Sequence, residues 1–134
     1  MSAATASAGI VMRSAHYPGR TPIEAYGNGG FRFAGMSHRG SLLCLPSRVH
    51  GWKAPPAADL DEESLAMVFA EAGAIEVLLI GTGQEIVPLA EALRRRCQAE
   101  KIVAEAMSTG AAVRTFNVLL AEERAVAAAL IAVD

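Results

Sequence analysis

At 134 residues the chain is the size of one domain, and with 52% hydrophobic and 19% charged residues it has enough apolar side chains to bury a sizeable core. A net charge of −2 with interspersed signs offers no basic face for nucleic acid, and no apolar run reaches the roughly 20 residues needed to cross a bilayer, so a soluble, cytoplasmic domain is expected. Cys44 and Cys97 both sit in apolar segments without CxxC or Cys/His spacing, which argues against a zinc site and for two buried free thiols.

Residues 1–20 are rich in Ala and Ser, lack acidic side chains and carry Arg13 and Arg20. They read as a flexible tail with a faint likeness to an organelle transit peptide, leaving a single domain over 21–134. Residues 23–33 predict a β-hairpin: Ile23 and Ala25 alternate with polar partners, as do Phe31 and Phe33, and Asn28-Gly29 supplies the positive φ angles of a tight turn. Residues 41–46, SLLCLP, suit a strand buried on both faces and stopped by proline. Residues 48–59 read as an irregular connection because Pro55-Pro56 can continue neither ladder nor helix.

From Asp59 the period becomes helical. Leu60, Leu65, Val68 and Phe69 share a face, Asp59 and Glu62 have capping-box spacing, and Gly73 ends the helix. Residues 75–80, IEVLLI, predict a second buried strand. Pro88 suits the first turn of a second helix, which has Arg94, Arg95 and Arg96 toward its C-terminal end. Residues 101–107 predict a third strand. This alternation indicates a layered α/β domain with a largely parallel sheet. Residues 109–133 favour helix nearly throughout, but Glu122-Glu123-Arg124 permits a turn before a last strand; periodicity does not decide between the two.

The sequence Gly81-Thr82-Gly83, following a buried strand, has the opening of a nucleotide loop. A dinucleotide fingerprint requires a third glycine where this chain has Ile86, and a phosphate loop requires Gly-Lys-Ser/Thr. Both fail, so no cofactor is expected. In an open α/β sheet, however, loops at the C-terminal ends of parallel strands line the ligand crevice. Gly81, Thr82 and Gly83, with Met107, Ser108, Thr109 and Gly110, could hold a small anion through backbone amides, or could simply permit close packing. His16, His38 and His50 have no i, i+4 partner, Ser41 lacks a nucleophile elbow, and Cys97 does not share a helix face with the arginine before it, so no catalytic or metal-binding set is assigned. On a helix through 109–121, Ala112, Val113, Phe116, Leu119 and Leu120 form the apolar face. Asn117 lies at its border and Arg114 nearly opposite. Arg114 is then either solvated or, under a second layer, paired with a carboxylate such as Glu122 or lining a pocket.

The combination Tyr26-Gly27, Gly30-Phe31, Gly40-Ser41, Pro46, Trp52, Gly81-Thr82-Gly83, Met107, Ala112, Arg114-Thr115, Asn117, Glu122 and Arg124 closely resembles one small family, over residues 23 to 131. That family includes bacterial and archaeal proteins of unknown function, a mitochondrial assembly factor for respiratory complex I and an adipogenesis-associated protein with an Mth-type domain. The resemblance implies a single three-layer α/β domain with a mixed, largely parallel central sheet flanked by helices, plus a small β-hairpin element. It also implies a helix to about Leu120, a turn, and a final strand antiparallel to its neighbours. It carries no catalytic residues. It implies protein partners, subunits of a respiratory complex among the candidates, with membrane association only through such a partner. The alternative is a small-molecule or anion-binding protein, or an unrecognised enzyme, using a crevice of Gly81, Thr82, Gly83, Met107, Ser108, Thr109, Arg114 and Asn117.

Overall fold

The computed structural model describes residues 16–134. Of the expected tail, positions 1–15 lie outside the described residues, while His16–Pro18 form strand β1 and pair with residues 48–50. The central sheet has six strands, in the spatial order β1, β6 (Arg48–Trp52), β5 (Ser41–Cys44), β9 (Val126–Leu130), β7 (Val77–Gly81) and β8 (Val103–Met107). A separate antiparallel sheet contains β2 (Ile23–Gly27), β3 (Gly30–Phe33) and β4 (Met36–Arg39).

Calling the central sheet largely parallel overstates it. β7 runs parallel to β8 and to β9, whereas β1–β6, β6–β5 and β5–β9 are antiparallel. The reason is local: only three residues join β5 to β6, and so short a link permits only antiparallel pairing. The segment expected to be irregular begins with β6, because Pro55-Pro56 acts only beyond Trp52. The final strand is antiparallel to β5 but parallel to β7, since helix α3 (Thr109–Ala121) forms the crossover that parallel neighbours need.

Strand alternation divides the core into two. Leu43, Leu78, Ile80, Ala127 and Ala129 face one side, with Leu60, Leu65, Val68, Phe69, Leu93 and Cys97. Leu42, Cys44, Leu79, Ala128 and Leu130 face the other, with Ala112, Val113 and Phe116 of α3 and Ile23, Phe31 and Phe33 of the small sheet. The two thiols are therefore free, buried and on opposite faces. Burial pushes the Cys44 thiol up to about 12. Burial also raises Cys97, against the opposing pull of Arg96, so neither thiol is activated.

The first helical layer is more broken than the pattern predicts. Only Ala66–Phe69 form an α-helix, α1, flanked by 3₁₀ turns at Ala57–Asp59 and Ala72–Ala74. The reciprocal box lies at Asp61 and Ser64, not at Asp59 and Glu62: Ser64 N–H donates to Asp61 Oδ1 at 2.8 Å and Asp61 N–H to Ser64 Oγ at 2.9 Å. Trp52 Nε1 donates to the Ser64 carbonyl, and Arg96 reaches Glu62 at 2.7 Å while lying 4.4 Å from the Phe69 ring centroid, so side chains hold this segment where helix does not. Helix α2 begins at Glu91 and ends at Ala99 rather than starting at Pro88, because the chain is still extended at Ala90.

Both turns of the small sheet have two residues at positive φ: Asn28 and Gly29 at 54° and 78°, and Ala34 and Gly35 at 51° and 72°. The first turn makes the predicted hairpin; the second adds β4, which the hydrophobic pattern did not signal.

Candidate functional site

The loops after β7 and β8 are adjacent, and they are fastened to each other. Thr82 N–H donates to the Met107 carbonyl at 2.8 Å, and Thr109 N–H to the Gly83 carbonyl at 2.8 Å. The Thr109 hydroxyl donates to the Ile131 carbonyl at 2.7 Å and accepts the Gly83 N–H at 3.0 Å. The Thr82 hydroxyl donates to the Glu85 carbonyl at 2.6 Å, with the Met107 carbonyl 3.2 Å away, and accepts the Val87 N–H at 3.0 Å. Both threonines are buried. A Cβ on Gly81 would stand 2.9 Å from the Thr109 Cα, so this glycine is required by the approach of the next loop rather than by a phosphate.

Ser108 caps α3, its hydroxyl accepting the Ala111 N–H at 3.3 Å. A side chain on Gly110 would collide with the Tyr26 hydroxyl, so the small sheet covers the first turn of α3. The residue in the third position of the fingerprint, Ile86, is exposed, and α2 begins five residues later, so its dipole is not aimed at Gly81 and Gly83.

Asn117 is not part of this crevice. Its Oδ1 accepts the Ile23 N–H at 2.9 Å and its Nδ2 donates to the Ile23 carbonyl at 2.8 Å. One amide side chain thus pairs with both backbone groups of a strand residue and docks the small sheet on α3. Arg114 is exposed and makes no hydrogen bond or ion pair with another described residue. Gly81, Thr82, Gly83, Met107, Ser108 and Thr109 come together; Arg114 and Asn117 project elsewhere.

The remaining candidates are dispersed. Ser41 Oγ accepts the Ala132 N–H at 2.9 Å, and His50 Nδ1 lies 3.0 Å from the Gly51 carbonyl. Among the described residues no cluster of His, Cys, Asp and Glu could hold a metal, and no helix is long and apolar enough to cross a membrane.

Two surfaces are missed by the sequence reading. One is apolar: Val103 on edge strand β8 and Val118 on the outward face of α3 are exposed. The other is the outer face of the small sheet with Arg32 and Arg39. Only Ala34-Gly35, a second turn pair, signals the strand that carries Arg39.

The family described as "Protein of unknown function (DUF498/DUF598)" matches residues 23–131. An uncharacterized protein of Rhodobacter capsulatus is 42% identical over 119 residues, 89% of this chain and 90% of that protein. A solved Bartonella henselae structure, described as an outer membrane protein, is 57% identical with a TM-score of 0.84, covering 88% of this chain and 99% of that one. The mouse NADH dehydrogenase (ubiquinone) 1 alpha subcomplex assembly factor 3 is 30% identical over 122 residues, 91% of this chain. The match spans 66% of the mouse protein and 57% of its Drosophila melanogaster counterpart. With a family match from the first strand of the small sheet to the residue after β9, this chain belongs to the DUF498/DUF598 family of proteins of unknown function.

Proposed function

We propose that the chain is a non-catalytic, cytoplasmic protein-binding module that assists the assembly of a membrane respiratory complex. The observation that carries this reading is uncovered apolar surface on edge strand β8, with a second exposed valine on α3. Val103 and Val118 are 57% and 56% exposed. Val103 pairs with Val77 on the α3 side of the sheet. Val118 lies four residues after Arg114, on the outward face of α3 opposite its buried residues. Among the described residues β8 pairs only with β7, so it is a sheet edge that offers unpaired backbone groups beside Val103. The relationship to complex I assembly factors supplies the kind of partner.

The test is a crosslinked affinity capture of the tagged chain from its native host, membrane fraction included, beside a Val103→Lys/Val118→Lys variant. Enrichment of respiratory-complex subunits that the double variant loses supports the reading. Equal capture by both chains, or no subunit above background, overturns it. Fractionation of the same cells tests the cytoplasmic placement.

The competing reading, an anion in the strand-end crevice with Arg114 as its partner, has less support. The hydroxyls and amides of that crevice are already bonded to one another, and Arg114 points into solvent.

A further inference from the structure

We infer that the outer face of the small sheet is a binding site for a small oxyanion, a carboxylate or phosphate group held between Arg32 and Arg39. Register fixes which side chains share that face. Ala25, Arg32 and Ser37 form one cross-strand row, and Gly27, Gly30 and Arg39 the row two residues further on. In a strand, side chains two residues apart point the same way. The row between them contains Phe31, which is buried against α3, so the two arginine rows face outward.

Arg32 and Arg39 are therefore diagonal neighbours, with backbones about 7–8 Å apart. That spacing is too wide for two guanidinium groups to obstruct each other and close enough for both to reach one anion. The other two positions in the Arg39 row are glycines. A Cβ on Gly30 would collide with the His38 carbonyl oxygen, so strand packing keeps this position bare. The result is a cleft of about 380 Å³ whose lining includes Gly27, Asn28, Arg32, Ser37 and Arg39, within the roughly 300–1,000 Å³ of small-molecule sites.

The charges are unequally used. Arg32 lies 3.6 Å from Glu24 and donates to Ser37 Oγ at 3.2 Å, which orients its guanidinium on the face. Arg39 has no hydrogen bond or ion pair to another described residue, and its Nη1 lies 3.7 Å from where a Cβ on Gly29 would stand. The guanidinium is thus laid over the Asn28-Gly29 turn at the cleft rim with its donors unused. A planar fork matches an oxyanion in two parallel hydrogen bonds. Arg32 and Arg39 line the cleft with no carboxylate among its lining residues; Glu24 stands beside Arg32, and the bond from Gly29 N–H to the Val133 carbonyl brings Asp134 near the turn under Arg39.

Amide chemical shifts of the full chain would be followed during titration with inorganic phosphate and, separately, with citrate, each against sodium chloride at matched ionic strength. The expected result is saturable movement confined to residues 25–39 with at least one of the two anions, and which anion binds tighter identifies the group. Arg39→Gln should weaken that binding about tenfold, as expected for loss of a charge-assisted pair, with Arg39→Lys intermediate and the urea midpoint of both variants unchanged. The inference is overturned by linear, chloride-like shifts for both anions. It is equally overturned by saturable shifts at 81–83 and 108–111, or by equal affinity in Arg39→Gln.

Discussion

The strand-end loops and the small sheet are both rich in glycine, and they use it in opposite ways. At 81–83 and 107–110, glycine lets two loops approach until their amides and hydroxyls bond to each other. In the small sheet, glycine makes a turn and leaves part of one face bare, while Arg32 and Arg39 stay outside. A glycine-rich loop after a buried strand suggests a ligand only when its donors remain free. Here the loop with the familiar spacing is closed, and the sheet without a motif has donors left over.

The largest effect should come from opening the closed region. Thr109→Val removes the acceptor of the Gly83 N–H and the donor to the Ile131 carbonyl at a fully buried position, and should cost about 3 kcal/mol in urea unfolding. A loss below about 1 kcal/mol would mean that water replaces both bonds and that the crevice is open after all.

Asn117→Leu tests the joint between the two regions. Losing both bonds to Ile23 should cost about 2 kcal/mol and should speed hydrogen exchange in β2–β4 more than in β7. Uniform acceleration would show that the small sheet and the central sheet unfold together.

Alkali probes the core beneath both. Burial raises the Cys44 thiol from 9.0 to about 12, so its contribution is full below pH 9 and is lost as pH rises through that window. The sign is that of a group whose neutral form is favoured by folding: the unfolded chain releases its proton first. Stability should fall by about 1 kcal/mol between pH 9 and 10, and Cys44→Ala should remove that part of the slope. Cys97, also raised, adds to the decline in the same direction.

The smallest effect belongs to Arg114. Arg114→Ala should shift the unfolding free energy by no more than about 0.5 kcal/mol, because the side chain is exposed and touches no carboxylate. A change above 1 kcal/mol would reveal a solution partner for the guanidinium.

How much of this was legible depends on whether the signal was local. The Asn28-Gly29 hairpin and the strands expected over 41–46 and 75–80 follow from neighbouring residues, and the structure has them at 23–33, 41–44 and 77–81. Helix α3 and strand β9 could not be separated by periodicity, because Ala and Leu suit both, and required the family resemblance. β6 escapes the sequence pattern because Pro55-Pro56 marks a connection that in the structure starts only beyond Trp52. α1 is shorter than its pattern because Leu60 and Leu65 reach the core from turns as readily as from a helix. Asn117 was placed at the border of its helix face correctly, but its partner lies 94 residues away in sequence, and no spacing rule reports such a pair.

The position of β9 also bears on how the protein is made. On the ribosome, β5 and β7 are finished before the strand that separates them exists. Until Val126–Leu130 are in place the sheet can exist only as two parts, β1–β6–β5 and β7–β8, whose facing edges, β5 and β7, are lined by leucine or isoleucine. Such edges are sticky. The domain's most vulnerable interval is therefore the one before β9 inserts, and substitutions that weaken Val126–Leu130 should raise aggregation during refolding more than equally destabilising ones in β8.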